Sequence, residues 1–205
     1  MSILEYNGSA IIAMCGKNCI GIASDTRLGA QAQTTATDFE KVFQMNNKIC
    51  LGLPGLATDI ITLRRILEWR LKGYKLRENR DMGVKTFSHL VSTMLYEKRF
   101  GPYFTEPIIA GLDGPDNKPY VCAMDLIGAP VLTDDFVVAG TSSENLYGTC
   151  EMFYKPDLEP DQLFEVLAQA LLTGVDRDAL SGWGCVVKIL TPDKVITRKL
   201  TGRQD

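Results

Sequence analysis

The chain has a single histidine, no block of basic residues and no long apolar run, and each of these scarcities removes a class of function. With His89 alone, a histidine-rich metal centre lacks ligands. The one close cysteine pair, Cys15 and Cys19 in C-x3-C spacing, has no second pair to complete a zinc site. No metal and no cofactor is expected. A net charge of −3 without concentrated lysine or arginine supplies no field for nucleic acid or an anionic membrane, so neither is an expected partner. No stretch of about 18 apolar residues marks a membrane span. The first residues also lack the basic and apolar regions of a secretion signal, so the chain reads as soluble and intracellular. Internal repeats, linkers and low-complexity segments are absent too.

What is present is an ordinary globular composition. Hydrophobic residues make up 45% and charged residues 23% of 205 positions, which suits one compact domain. A chain of this size buries roughly 70% of its unfolded surface. The six cysteines are scattered, mostly inside apolar runs such as ICLGL and GCVVKIL, and so read as buried free thiols.

The order of elements follows from hydrophobic periodicity. Residues 9–15 and 19–24 are apolar runs around the turn Gly16-Lys17-Asn18, a hairpin whose near-continuous apolarity implies cover on both faces. Val42 to Met45 and Ile49 to Leu53 form a second pair about Asn46-Asn47-Lys48, giving four strands before any long helix. Ile60, Leu63, Leu67, Leu71 and Tyr74 then recur at helical spacing, with Gly73 expected to weaken the last turn. A second helix is predicted from about 84 to 99, stopped by Gly101-Pro102. Four more strands follow, Pro107–Leu112, Tyr120–Asp125, Ala129–Thr133 and Phe136–Ala139. Helical spacing returns from Glu144 to Phe153 and again after Pro160, and strands at Gly184–Leu190 and Val195–Leu200 close the chain. Strands and paired helices in this alternation predict an α+β fold, a four-layer αββα sandwich of two stacked antiparallel sheets between helix pairs.

Some polar residues stand where the apolar pattern does not ask for them. Ser9 begins the first strand directly after Gly8, Asp25 ends the second, Lys41 begins the third, and Asp178 and Ser181 flank the end of the last helix. A hydroxyl, a lysine and carboxylates can together make an activated nucleophile, with the cation lowering a proton affinity. On residue type alone the alternative stands beside it: an aspartate at a strand end is commonly a turn residue, and a strand lysine is commonly solvated. His89 reads as a surface or boundary residue, and Trp69 and Trp183 as packing or contact residues.

Gly8-Ser9-Ala10, Ala23-Ser24-Asp25-Thr26-Arg27, Lys41-Val42, Gly52-Leu53-Pro54-Gly55 and the Arg177-Asp178 and Ser181-Gly182 pairs resemble, in order and spacing, the beta-type subunits of the 20S proteasome. These are N-terminal nucleophile hydrolases, and the resemblance runs over essentially the whole chain. It implies the sandwich fold reached above. It also implies roles: active members carry a threonine at the position of Ser9, freed by cleavage after the glycine, with its own amine as base. Asp25 and Lys41 match the acid and lysine that tune it, Gly55 the oxyanion-hole amide, Asp178 and Ser181 the supporting pair, and Thr141 a position usually held by serine. While Gly8 is attached, the Ser9 nitrogen is an amide without basicity, whereas a freed α-amine titrates at about 7.7 to 8.0.

Tyr96 to Tyr103, Thr133 to Phe136 and Val175 to Ala179 narrow the resemblance to a non-catalytic kind of beta subunit. The division this implies is a short retained leader, residues 1–8, and one beta-type domain, residues 9–205. The implied function is structural: building the beta ring and proteolytic chamber for ATP- and ubiquitin-dependent degradation in cytoplasm and nucleus. Implied partners are other alpha and beta subunits in a hetero-oligomeric four-ring stack, and unfolded polypeptides in the chamber. Cys122 and Asp125 are expected to line the substrate pocket of a neighbouring subunit. The alternatives are a peptidase using Ser9 after cleavage of the Gly8-Ser9 bond, and a small-molecule amidohydrolase on the same fold.

Overall fold

A computed structural model describes residues 2–204. The leading sheet contains β1 (Ala10–Gly16), β2 (Cys19–Asp25), β10 (Phe136–Gly140), β11 (Cys185–Leu190) and β12 (Val195–Leu200), in the order β10-β1-β2-β11-β12. The second holds β5 (Val42–Asn46), β6 (Ile49–Gly52), β7 (Ile108–Asp113), β8 (Lys118–Met124) and β9 (Pro130–Thr133) in sequential order. Both are antiparallel throughout. The helices are α1 (Ala57–Glu78), α2 (Val84–Glu97), α3 (Ser143–Phe153) and α4 (Pro160–Val175).

Side chains alternate across a strand, so β1 must satisfy two apolar environments at once. Ile11 and Ala13 enter the layer between the sheets with Ile22, Val42, Ile108 and Ala110. Ala10, Ile12 and Met14 face the α3–α4 side with Leu163, Leu167 and Leu171. The far face of the second sheet packs Ile49, Leu51 and Ile109 on Leu63 and Leu67 of α1 and Phe87 and Val91 of α2. Three apolar layers thus separate four layers of structure, which is why β1 and β2 read as unbroken apolar runs. All six cysteines are free and buried. Burial raises the thiol pKa of Cys50 and Cys185 to about 12.

Two local expectations differ from the structure. A small hairpin, β3 (Leu28–Ala30) and β4 (Gln33–Ala36), lies between the second and third strands foreseen from sequence, so six strands precede α1. β3 is only three residues long and β4 is mostly exposed and polar, so neither leaves an apolar run to read. Gly73 does not lie in the last turn of α1, which continues to Glu78 and ends with Asn79 in the left-handed region at φ 51°. Here Gly73 faces open space and Asn tolerates the capping conformation.

Candidate active site

The polar residues singled out above converge at one end of the leading sheet. Asp25, at the last position of β2, is fully buried and forms an ion pair with Lys41 Nζ at 2.6 Å. Its Oδ1 also accepts the Ala10 amide at 2.9 Å, and its Oδ2 the Gly182 amide at 3.2 Å. One carboxylate therefore ties β1, the turn after α4 and, through Lys41, the entrance of the second sheet. Burial pushes the Asp25 carboxyl up and the Lys41 ammonium down, and their mutual contact opposes both shifts.

A second cluster sits on the other side of Ser9. Thr141 Oγ1 donates to Asp178 Oδ2 at 2.7 Å, and Ser181 Oγ donates to the same oxygen at 2.6 Å. Thr141 is also held by its own amide, which donates to the Ser9 carbonyl at 2.7 Å. The Ser9 amide donates back to Thr141 Oγ1 at 3.3 Å. Ser9 itself is fully buried, and its hydroxyl has no hydrogen-bond partner among the described residues. Neither Lys41 nor Thr141 holds it. Gly55, at φ 119°, shares a recess of about 240 Å³ with Ser9 and Thr141. Ser9, Asp25, Lys41, Gly55, Thr141, Asp178 and Ser181 are thus brought into one region.

Residues 2–8 pack against this site. The Tyr6 carbonyl accepts the Gln31 amide at 2.8 Å and the Asn7 carbonyl the Gly29 amide at 3.0 Å. Asn7 Nδ2 donates to the Gly29 carbonyl at 2.8 Å, and its Oδ1 accepts the Ala57 amide at 2.8 Å. Leu56, the N-cap residue of α1, provides no side-chain acceptor, so Asn7 performs that task from outside the helix. Gly8 follows at φ 73° and lies so close to Leu180 that a Cβ would overlap the carbonyl oxygen.

Two residues were not foreseen as site components. Asn7 looks like turn chemistry before a strand, and only the fold reveals the helix end above it. Arg27 is 1% exposed and makes three bonds: Nε to Thr34 Oγ1 at 2.9 Å, and its terminal nitrogens to the Leu180 carbonyl at 2.8 Å and the Gln31 carbonyl at 3.0 Å. The guanidinium fork, two residues after Asp25, was the available signal.

Two positions expected to line a neighbouring subunit's pocket are Cys122 and Asp125. Cys122 is fully buried in the layer facing α1 and α2, its thiol directed at the Ala123 carbonyl. Asp125 is half-buried and organises its own loop, Oδ1 accepting the Ile127 and Ala129 amides at 3.0 and 2.8 Å. His89 is exposed, as is Trp69 at 68%.

Two stacked antiparallel sheets between helix pairs, with a hydroxyl opening β1 beside a buried Asp–Lys pair, define the architecture of the N-terminal nucleophile hydrolases. The family model described as "Proteasome subunit" matches residues 5–190. Curated relatives aligned over all 205 residues, covering the whole of both chains, include "Proteasome subunit beta type-3" of Picea mariana at 60% identity. The protein of that name from Drosophila melanogaster is 57% identical over the same span, and a "Probable proteasome subunit beta type-3" of Schizosaccharomyces pombe 54%. The chain belongs to the proteasome subunit family.

Proposed function

We propose that this chain is a non-catalytic beta subunit of the proteasome core, occupying one place in a beta ring and helping to enclose the chamber in which ATP- and ubiquitin-dependent degradation takes place. Its partners are the other alpha and beta subunits of the four-ring stack and the unfolded polypeptides within, in cytoplasm and nucleus. The observation that carries this reading is the state of Ser9 beneath residues 2–8: it is fully buried, and its hydroxyl has no hydrogen-bond partner among the described residues to take a proton. The acid, lysine and supporting residues stand in place around a hydroxyl with no base.

Two further features support it. Residues 2–8 are knitted into the fold by bonds to Gly29, Gln31 and Ala57, in keeping with a retained leader. Large apolar side chains remain uncovered on α1 and beyond α2, with Leu76 87% and Phe100 95% exposed, as suits a chain assembled among neighbours. In that setting Asp125 adds negative charge to an adjoining subunit's substrate pocket. Cys122, with its thiol buried, contributes only by packing.

Intact mass of the chain in purified core particles tests the reading. Retention of the residues before Ser9 is expected; a new N-terminus at Ser9 overturns it and makes the chain a peptidase with a free amine as base.

A further inference from the structure

Helix α1 is apolar on two sides. Ile60, Leu63, Leu67 and Leu71 are buried in the layer it shares with α2 and the second sheet, which accounts for one face. On the opposite side Ile61, Arg65, Trp69, Lys72 and Leu76 follow one another at steps of four, four, three and four residues. At about 100° per residue these five fall within an arc of roughly 80°, a straight stripe about 22 Å long. All five are exposed: Ile61 at 42%, Trp69 at 68% and Leu76 at 87%, with Arg65 and Lys72 between them. No contact within the folded chain accounts for three large apolar side chains set in water along one line, and such a patch marks an interaction site.

Charge narrows the partner. Six lysines and arginines against three carboxylates leave α1 with an excess of three positive charges, in a chain whose net charge is −3. Arg64 pairs with Glu68 at 2.7 Å and Lys75 with Asp81 at 3.0 Å, whereas among the described residues Arg65 and Lys72 form no ion pair. Read from either end, the stripe is apolar, cation, apolar, cation, apolar. A second copy of this chain laid along it, parallel or antiparallel, therefore sets cation against cation. A partner with carboxylates at those two levels sets each cation against an anion. Trp69 stands at the centre of the stripe with the Arg70 guanidinium 5.5 Å from its ring, a pairing of the residue types that anchor interfaces.

We propose that this stripe is the docking strip for an acidic amphipathic helix of an adjoining core subunit, with Trp69 as its anchor, and that Arg65 and Lys72 select this partner against a second copy of the chain. A helix fits because the stripe is straight and one helix wide, and ridges of side chains at four-residue spacing pack into the grooves of another helix. Burial of Ile61, Trp69 and Leu76 supplies the attraction, while the two cations set specificity and the rate of encounter. The proposal deepens the function proposed above and rests on it.

The test places the photoreactive residue benzoylphenylalanine at Thr62, exposed beside the stripe, and reads the cross-linked peptide from assembled core particles by mass spectrometry. Capture of a helical segment of another subunit that bears carboxylates is expected. Capture of a second copy of this chain, capture of a segment without carboxylates, or no capture in particles that contain the chain overturns the proposal. Incorporation of tagged chain into core particles gives a second reading. Trp69→Ala, and Arg65→Glu with Lys72→Glu, should each lower it about tenfold or more. Arg65→Gln with Lys72→Gln adds no charge, lowers it less, and guards against a folding defect, since urea unfolding of the full chain should be unchanged at these exposed positions. Binding of the chain to vesicles of anionic lipid, lost in the glutamate variant, would assign the strip to a membrane and overturn the proposal as well. Variants that enter particles as readily as the parent chain overturn this proposal alone, whereas exclusion of the parent chain overturns the proposed function and this proposal with it.

Discussion

Replacing Asn7 with alanine removes two side-chain bonds that serve different purposes: the cap on the Ala57 amide and the donor to the Gly29 carbonyl. Loss of an N-cap costs about 0.5–2 kcal/mol, and an unsatisfied, partly buried carbonyl about 1–3 kcal/mol. Water reaches part of this region, so a combined cost of about 2 kcal/mol is reasonable. If the start of α1 opens locally, about 1.4 kcal/mol of that cost accelerates amide exchange tenfold. The assay is hydrogen exchange with mass spectrometry in assembled particles, comparing the segment from Pro54 to Thr62 with that from Leu28 to Ala36. Asn7→Ala should speed both. Asn7→Asp keeps the acceptor and adds negative charge at a helix N-terminus, worth about 0.3–1 kcal/mol, but loses the donor to Gly29. It should therefore protect the first segment and loosen the second. Equal effects of the two variants, or unchanged exchange near Ala57 in the alanine variant, would refute the assignment of Asn7 as an external cap.

Two other outcomes follow from the same geometry. Lys41→Met leaves the Asp25 carboxylate buried and unpaired, a loss of about 3–5 kcal/mol, and adding Asp25→Asn should recover much of it. Urea unfolding of the full chain measures both, and a single variant as stable as the double would show that the pair does not carry the site. Asp125→Asn keeps the Oδ1 acceptor that holds its loop, so the fold should be unchanged while core particles cleave less efficiently after basic residues. Unaltered cleavage of basic, acidic and apolar peptide substrates would remove the proposed role of Asp125.

Much of this architecture could be read before any coordinates, and the reasons differ by element. The strands of the β1–β2 hairpin announce themselves because both faces are buried, and α2 because its buried residues recur on one side. The β3–β4 hairpin could not be read, since Gln33, Thr34 and Thr35 are exposed and carry no alternation. Asp25, Lys41, Asp178 and Ser181 stood out as polar residues in apolar settings, and the fold joins them to the same site. Asn7 and Arg27 were obscured because their partners lie on segments whose proximity only tertiary structure creates.

The site also has a distinctive place in time. Its bonds connect the two ends of the chain: Ser9 to Thr141 across 132 positions, Arg27 to Leu180 across 153, and Asp25 to Gly182 across 157. Hairpins and helix pairs close short loops and can form early, whereas contacts at such separations follow only after the intervening chain is ordered. A nascent chain that stops short of Leu180 therefore lacks both the clasp over Asp25 and the wall against which Gly8 rests. In that sense the site is a completion signal, and residues 2–8 lie down firmly only on a chain that has finished folding.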